Sequence, residues 1–158
     1  MAETLVIPMQ KAIQSAKEGI LAGEGGPFGA CIVKGDQIIA VAHNTVLQDS
    51  DPTCHAEMNA IRLAAKKLAT HELRDCVIYT TSEPCPMCLG AILWAQISKI
   101  FMGLPKKVAA DYGFNDVIFY EYLLSDIKDR NLPYVVGVMS DKCKQLFDIW
   151  RGSGGVLY

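Results

Sequence analysis

Two short runs do most to restrict the folds open to this chain: His55-Ala56-Glu57 and, further along, Pro84-Cys85-Pro86-Met87-Cys88. Each opens a helical pattern. From Cys54 to Ala69 the residues Ala56, Ala60, Ile61, Leu63, Ala64 and Leu68 recur at helical spacing, and Asp51-Pro52-Thr53 supplies starting chemistry just before them. A second helix is predicted over Pro86 to Ile97, with the proline near its first position, where its missing N–H does no harm. Between the two lies Cys76 to Thr81, a compact apolar run of strand length. With each run opening a helix after a loop or a strand, both can converge at one edge of a sheet.

The rest of the chain continues this alternation. Leu5, Met9, Ala12, Ile13, Ala16 and Ile20 mark an amphipathic helix over Leu5 to Ala22, with Pro8 in its first turn. The breaker cluster Gly23 to Pro27 follows, then two β-prone runs, Phe28 to Lys34 and Gln37 to Ala42, joined by Gly35-Asp36 as a hairpin. Further strands are predicted over Lys99 to Gly103 and Tyr134 to Met139, and further helices over Val117 to Leu124 and Lys142 to Trp150. Strands that alternate with helices after one opening hairpin make an α/β layered domain with a mixed sheet, parallel in its second half. At 158 residues the chain is one ordinary domain, large enough to bury a core without help from a disulfide or a metal. The segment from Gly152 to Tyr158 reads as a loose tether with an apolar, aromatic tip.

Charge narrows the partners. Fifteen Lys and Arg against 17 Asp and Glu leave a net charge of −2, and the signs are interspersed. A chain that wraps nucleic acid needs many basic contacts to phosphate, so a polyanionic partner is not expected. No apolar stretch reaches the length of a membrane span, and the start MAETLVIPMQK lacks a basic segment followed by an apolar one. A cytoplasmic protein without a membrane partner is expected. Six irregularly spaced cysteines do not make a secreted disulfide framework, and in such a protein they point to metal binding or catalysis.

Taken alone, each of the two runs has an ordinary explanation. Glu57 would favour the positive end of its helix as any first-turn acid does, and Cys-Pro-Met-Cys could be a redox dithiol. Cys85 and Cys88, three apart on a first helical turn, project to one side, and the helix dipole favours their thiolates. With the imidazole of His55 they make three ligands suited to Zn²⁺, with a fourth position left for water. A purely structural zinc would need one more Cys or His. Cys54 stays open as that ligand, whereas Cys31 and Cys76 fall in strands and read as small buried residues. Glu57, two residues from His55, is the candidate for moving a proton to and from such a water.

The combined pattern, H-x-E followed by P-C-x-x-C, resembles that of zinc-dependent nucleobase deaminases. Gly25 to Val33 (GGPFGACIV), Asn44, Asp51 to Glu57 and Tyr79 to Trp94 (YTTSEPCPMCLGAILW) extend the likeness over most of the chain. The chain is similar to the cytidine-deaminase-like superfamily, and within it to the small bacterial guanine deaminases. The resemblance implies a three-layer α/β/α fold with a mixed five-stranded sheet. It also implies one Zn²⁺ per chain on His55, Cys85 and Cys88, with Glu57 catalytic. By the same resemblance Asn44 and Phe28 line the base pocket, Asp116 is the substrate-facing acid, and Tyr158 closes the pocket of a partner subunit in a homodimer that exchanges its C-terminal segments.

Guanine suits such a pocket. It asks for an amide that donates and accepts, an acid that accepts, and aromatic faces, which Asn44, Asp116, Phe28 and Trp94 would supply. Without the resemblance these four read as a turn asparagine, an aspartate capping the helix at Val117, and two core aromatics. The implied reaction is hydrolysis of guanine to xanthine and ammonia. The alternatives are a tRNA-adenosine deaminase, a deaminase of cytosine or a related aminated heterocycle, and a catalytically idle zinc- or RNA-binding module. The near balance of charge from Lys99 onward offers no basic stripe for tRNA, and an intact Glu57 speaks against an idle module.

Overall fold

The computed structural model describes residues 2–125 and 138–156. They divide into two compact units, Met1–Tyr120 and Glu121–Tyr158. In the first unit, helix α1 (Ala2–Ala22) leads into strands β1 (Gly29–Lys34) and β2 (Gln37–His43), a single helical turn α2 (Val46–Asp49), and helix α3 (Ala56–Leu68). Strand β3 (Cys76–Ser82), helix α4 (Pro86–Trp94), strand β4 (Lys99–Leu104) and the short helix α5 (Lys106–Asp111) follow. Helix α6 (Val117–Leu124) crosses the boundary, and α7 (Ser140–Gly152) belongs to the second unit.

The sheet runs in the order β2-β1-β3-β4. β1 pairs antiparallel with both β2 and β3, and β3 pairs parallel with β4 through the α4 crossover, so the mixed sheet is as expected. The described sheet has four strands instead of five. Most of the expected fifth, Tyr134 to Met139, lies outside the described residues, and Val138 and Met139 are not in a strand. Met139 instead takes a left-handed conformation (φ 53°) and precedes α7 directly.

Alternation along β1 explains the layers. Ala30 and Ile32 join Ile78 of β3 and Ala56, Ala60 and Ala64 of α3 in one buried cluster. Cys31 and Val33 join Tyr79 of β3 and Ala12 of α1 in another. Successive side chains point to opposite faces of a strand, so one sheet is covered by α1 on one side and by α3 with α4 on the other. The alanine stripe at spacings of four lets α3 lie close to the sheet. On the opposite face Gly29 does the same for α1, since a Cβ there would collide with the Ala12 carbonyl oxygen.

Local differences from the sequence reading have local causes. α1 starts before Leu5, which places Pro8 inside the helix, and its core-facing residues are small (Ala12, Ala16, Gly19) while Ile13 and Ile20 stay exposed. α3 begins at Ala56 and not at Cys54: Asp51 turns its carboxylate onto the Thr53 N–H and hydroxyl, both at 2.7 Å, so it shapes the loop instead of capping the helix. α4 stops at Trp94, before the left-handed Gln96. α2 and α5, four and six residues long, are too short for periodicity to reveal. Among the described residues no helix is long and apolar enough to cross a membrane.

Candidate active site

Sheet register gathers the candidate residues at one end. Gly29 pairs with His43, Ala30 with Thr80 and Ser82 with Leu104. The start of β1, the end of β2 and the ends of β3 and β4 therefore lie together. Phe28 and Asn44 flank that end, where the Asn44 N–H donates to the Phe28 carbonyl at 3.0 Å. Glu83, Pro84 and Cys85 leave it from β3. Ligands outside the carboxyl ends of parallel strands are the usual arrangement in such sheets.

His55 is the residue just before α3 and Cys85 the residue just before α4, both extended and neither capping its helix with its side chain. These side chains are thus free to face each other. Nδ1 of His55 is 3.6 Å from Sγ of Cys85 and 3.5 Å from Sγ of Cys88, and the ligand atoms of the three residues lie within 4.8 Å of one another. Hydrogen bonding from Cys88 pulls the Cys85 thiol down to about 4, so it carries the charge, while the same hydrogen bond and then burial push the Cys88 thiol up. The hydrogen bond with Cys85 raises His55. One nitrogen and two sulfurs at this spacing fit zinc, and a dication between them would draw off the remaining thiol proton.

Cys54, left open as a fourth ligand, is not brought into this group. Its buried sulfur instead lies 3.6 Å from Nη1 of Arg62. Among the described residues His55, Cys85 and Cys88 are the metal-type cluster, and three protein ligands leave a coordination position open, as catalysis needs. Cys31 and Cys76 are buried in strands and Cys143 is exposed.

Glu57, two residues into α3, is only 7% exposed, and burial pushes its carboxyl up. A carboxyl destabilised as an anion beside a metal site is suited to taking up a proton and giving it back. Asn44, 5% exposed, accepts from Gly26 N–H and Val46 N–H with Oδ1, both at 3.1 Å. Its acceptor is committed to the backbone by these two bonds, which fix the orientation of the amide. Gly25 makes this possible, because a Cβ there would strike the Asn44 side chain and carbonyl. His43, the residue before Asn44, is held in place between Ser15 (Oγ to Nδ1, 2.9 Å) and Glu24 (Nε2 to Oε2, 2.5 Å).

The helix-capping reading of Asp116 fails because Asn115 does that work, accepting from the Val117 N–H at 3.2 Å. Asp116 is left with a buried Oδ1 that has no partner, and it alone is in that condition among the described residues. Burial first, and then the Cys85 thiolate, raise its carboxyl, which places it within electrostatic reach of the zinc ligands. Phe28 meets Phe114 edge to face, centroids 4.9 Å apart, so an aromatic wall joins β1 to the Asp116 segment. Trp94 ends α4, 69% exposed, roughly 9 Å along the helix axis from Cys88. Tyr158 lies outside the described residues.

One polar group escaped the sequence reading. Glu83 accepts from the Lys106 N–H at 2.9 Å and pairs with its Nζ at 3.0 Å. That Nζ sits 4.4 Å above the ring of Tyr120, whose hydroxyl donates to the Pro84 carbonyl at 2.8 Å. Glu83 lies inside the cysteine motif and offered a signal, but its partners on α5 and α6 are remote in sequence.

Residues 3–104 match the family model of the cytidine and deoxycytidylate deaminase zinc-binding region. Over 143 residues the chain is 43% identical to a guanine deaminase of Bacillus subtilis, covering 90% of this chain and 91% of that one. The X-ray structure of guanine deaminase from Bacillus subtilis superposes with a TM-score of 0.87 at 42% identity, over 92% of each chain. A tRNA-specific adenosine deaminase of Aquifex aeolicus is 46% identical over 100 residues, 63% of this chain and 66% of that one.

Proposed function

The chain belongs to the cytidine and deoxycytidylate deaminase zinc-binding family, and from that premise we propose that it hydrolyses guanine to xanthine and ammonia. Similarity over nine-tenths of the chain to a guanine deaminase carries this choice, since it extends past the zinc region and through Asp116. The buried, unpartnered Asp116 oxygen supports it, because an orphaned acceptor is stable only if something else donates to it. Guanine offers N–H donors on the edge that would face an acid.

Zinc held by His55, Cys85 and Cys88 would supply one thing, an acidified water near neutral pH. The rest falls to the chain. Glu57 takes a proton from the attacking water and passes it to the ring nitrogen beside carbon 2 as the C–O bond forms there. Glu57 then takes the proton of the new hydroxyl on carbon 2 and gives it to the amine as the C–N bond breaks, so that water and guanine leave as xanthine and ammonia. Asn44 donates from Nδ2, Asp116 accepts from the base, and Phe28 lies along its apolar plane.

Ammonia release from guanine, cytosine, adenine, cytidine and a tRNA stem-loop separates the readings. Guanine should exceed the other substrates by at least tenfold, and Asp116→Ala should lower kcat/KM on guanine about 10²-fold, as expected where a buried polar partner is lost from the substrate complex. Preference for the stem-loop would establish the tRNA reading, which the Aquifex aeolicus similarity favours and the net charge of −2 opposes.

The 158 residues act in this reading as one catalytic domain that pairs into a homodimer. α7 supports it by exposing Leu146, Phe147, Ile149 and Trp150, an apolar row that a second copy could cover. Tyr158 would then complete the partner's pocket, with Trp94 beside the interface. Sedimentation equilibrium should give a dimer, and removing residues 156–158 should lower turnover on guanine without loss of zinc; a monomer with unchanged turnover refutes both. The free state of the described cysteines suits a cytoplasmic enzyme.

A further inference from the structure

We infer that Tyr120 is a positioning residue, the pin of a clamp formed with Glu83 and Lys106 that fixes Asp116 relative to the zinc-ligand turn. The inference rests on the guanine reading only for what Asp116 touches. The need for a pin comes from Asp116 itself. Its buried Oδ1 has no partner within the described residues, so no hydrogen bond there holds it in place. Its position must come from the backbone that carries it, and a group that contacts substrate has to be held to within about half an ångström.

Beside its own backbone hydrogen bonds, Phe119 N–H to the Asp116 carbonyl and Phe114 N–H to the Ala109 carbonyl, side chains hold that segment. Asn115 caps α6 from its own side chain, and Phe114 packs edge to face on Phe28. Tyr120 stands four residues after Asp116, in the first turn of α6. Its hydroxyl donates to the carbonyl of Pro84, the residue before the ligand Cys85, so this bond ties the helix that follows Asp116 to the turn that carries the zinc ligands. Lys106 keeps the ring in place by lying over its face, and Glu83 keeps Lys106 there through both its ammonium and its backbone N–H. Glu83 in turn is fixed by its own N–H, which donates to the Leu104 carbonyl at 2.7 Å. Sheet edge, ligand turn and α6 form one closed chain of contacts.

Tyr120→Phe tests this in the full-length, zinc-loaded protein, since it removes the hydroxyl and keeps the ring over which Lys106 lies. Zinc content should be unchanged. Amide exchange across Phe114 to Phe119 should quicken by about five- to tenfold, the value of one neutral hydrogen bond, while α3 and α4 are unaffected. On guanine, kcat/KM should fall by a similar factor, and the fall should vanish when Asp116 is already Asn. Additive losses in the double variant, or exchange at the wild-type rate, would overturn the clamp. Wild-type protein that leaves guanine untouched would refute the substrate reading instead, and the exchange rates would still decide the clamp.

Discussion

Glu57→Gln protein is expected to bind zinc as wild type does, about one ion per chain, and to turn over on the order of 10³ to 10⁴ times more slowly. Gln keeps the size of the side chain and removes its capacity to accept and return a proton. The site gives the reason for so large an effect. Glu57 is buried, so bulk water has little access to replace it as a shuttle, and it stands beside the group of three ligands without being one of them. Burial raises its carboxyl, which brings its proton affinity closer to that of the groups between which it carries protons. Stopped turnover together with lost zinc would mean that Glu57 serves the metal site structurally, and undiminished turnover would remove it from the mechanism.

Cys85→Ala should be as damaging by another route. Two ligands remain, and the zinc content after dialysis should fall from about one per chain to near zero, with turnover lost alongside. Stability should fall as well, because an ion bound only by the folded state favours folding and this one would tie the start of α3 to the start of α4. Cys54→Ser is the matched control, one residue from His55 but directed toward Arg62, and it should keep its zinc. Wild-type protein without zinc, whose two thiols instead form a reducible disulfide, would establish the redox dithiol.

The two runs that opened the sequence were legible because their spacing is local. A proline at the first turn and two cysteines three apart dictate the geometry of Cys85 and Cys88 within one turn of helix, whatever surrounds it. The strand pattern was equally readable: Cys76 to Tyr79 is an unbroken apolar run because both faces of β3 are covered there. Pocket residues were less so. Nothing near Asp116 in sequence says that Asn115 would take over the cap and leave the aspartate's oxygen orphaned. Cys54 could not be separated from His55 by adjacency; the bend at Asp51 and the position of Arg62 separate them.

The sequence by itself therefore determined the chemistry on offer: which three side chains suit zinc, which acid stands two residues from the ligand His55, and that helices and strands alternate around them. Those properties reside in residue type and in spacing of a few positions. Tertiary structure decided what is near what. Register across β2, β1, β3 and β4 brings Asn44, Phe28 and Cys85 to one sheet end, and the Tyr120 bond to Pro84 brings α6 there with Asp116. Substrate choice depends on such long-range neighbours, and their distances are set by packing between segments that carry no local trace of one another.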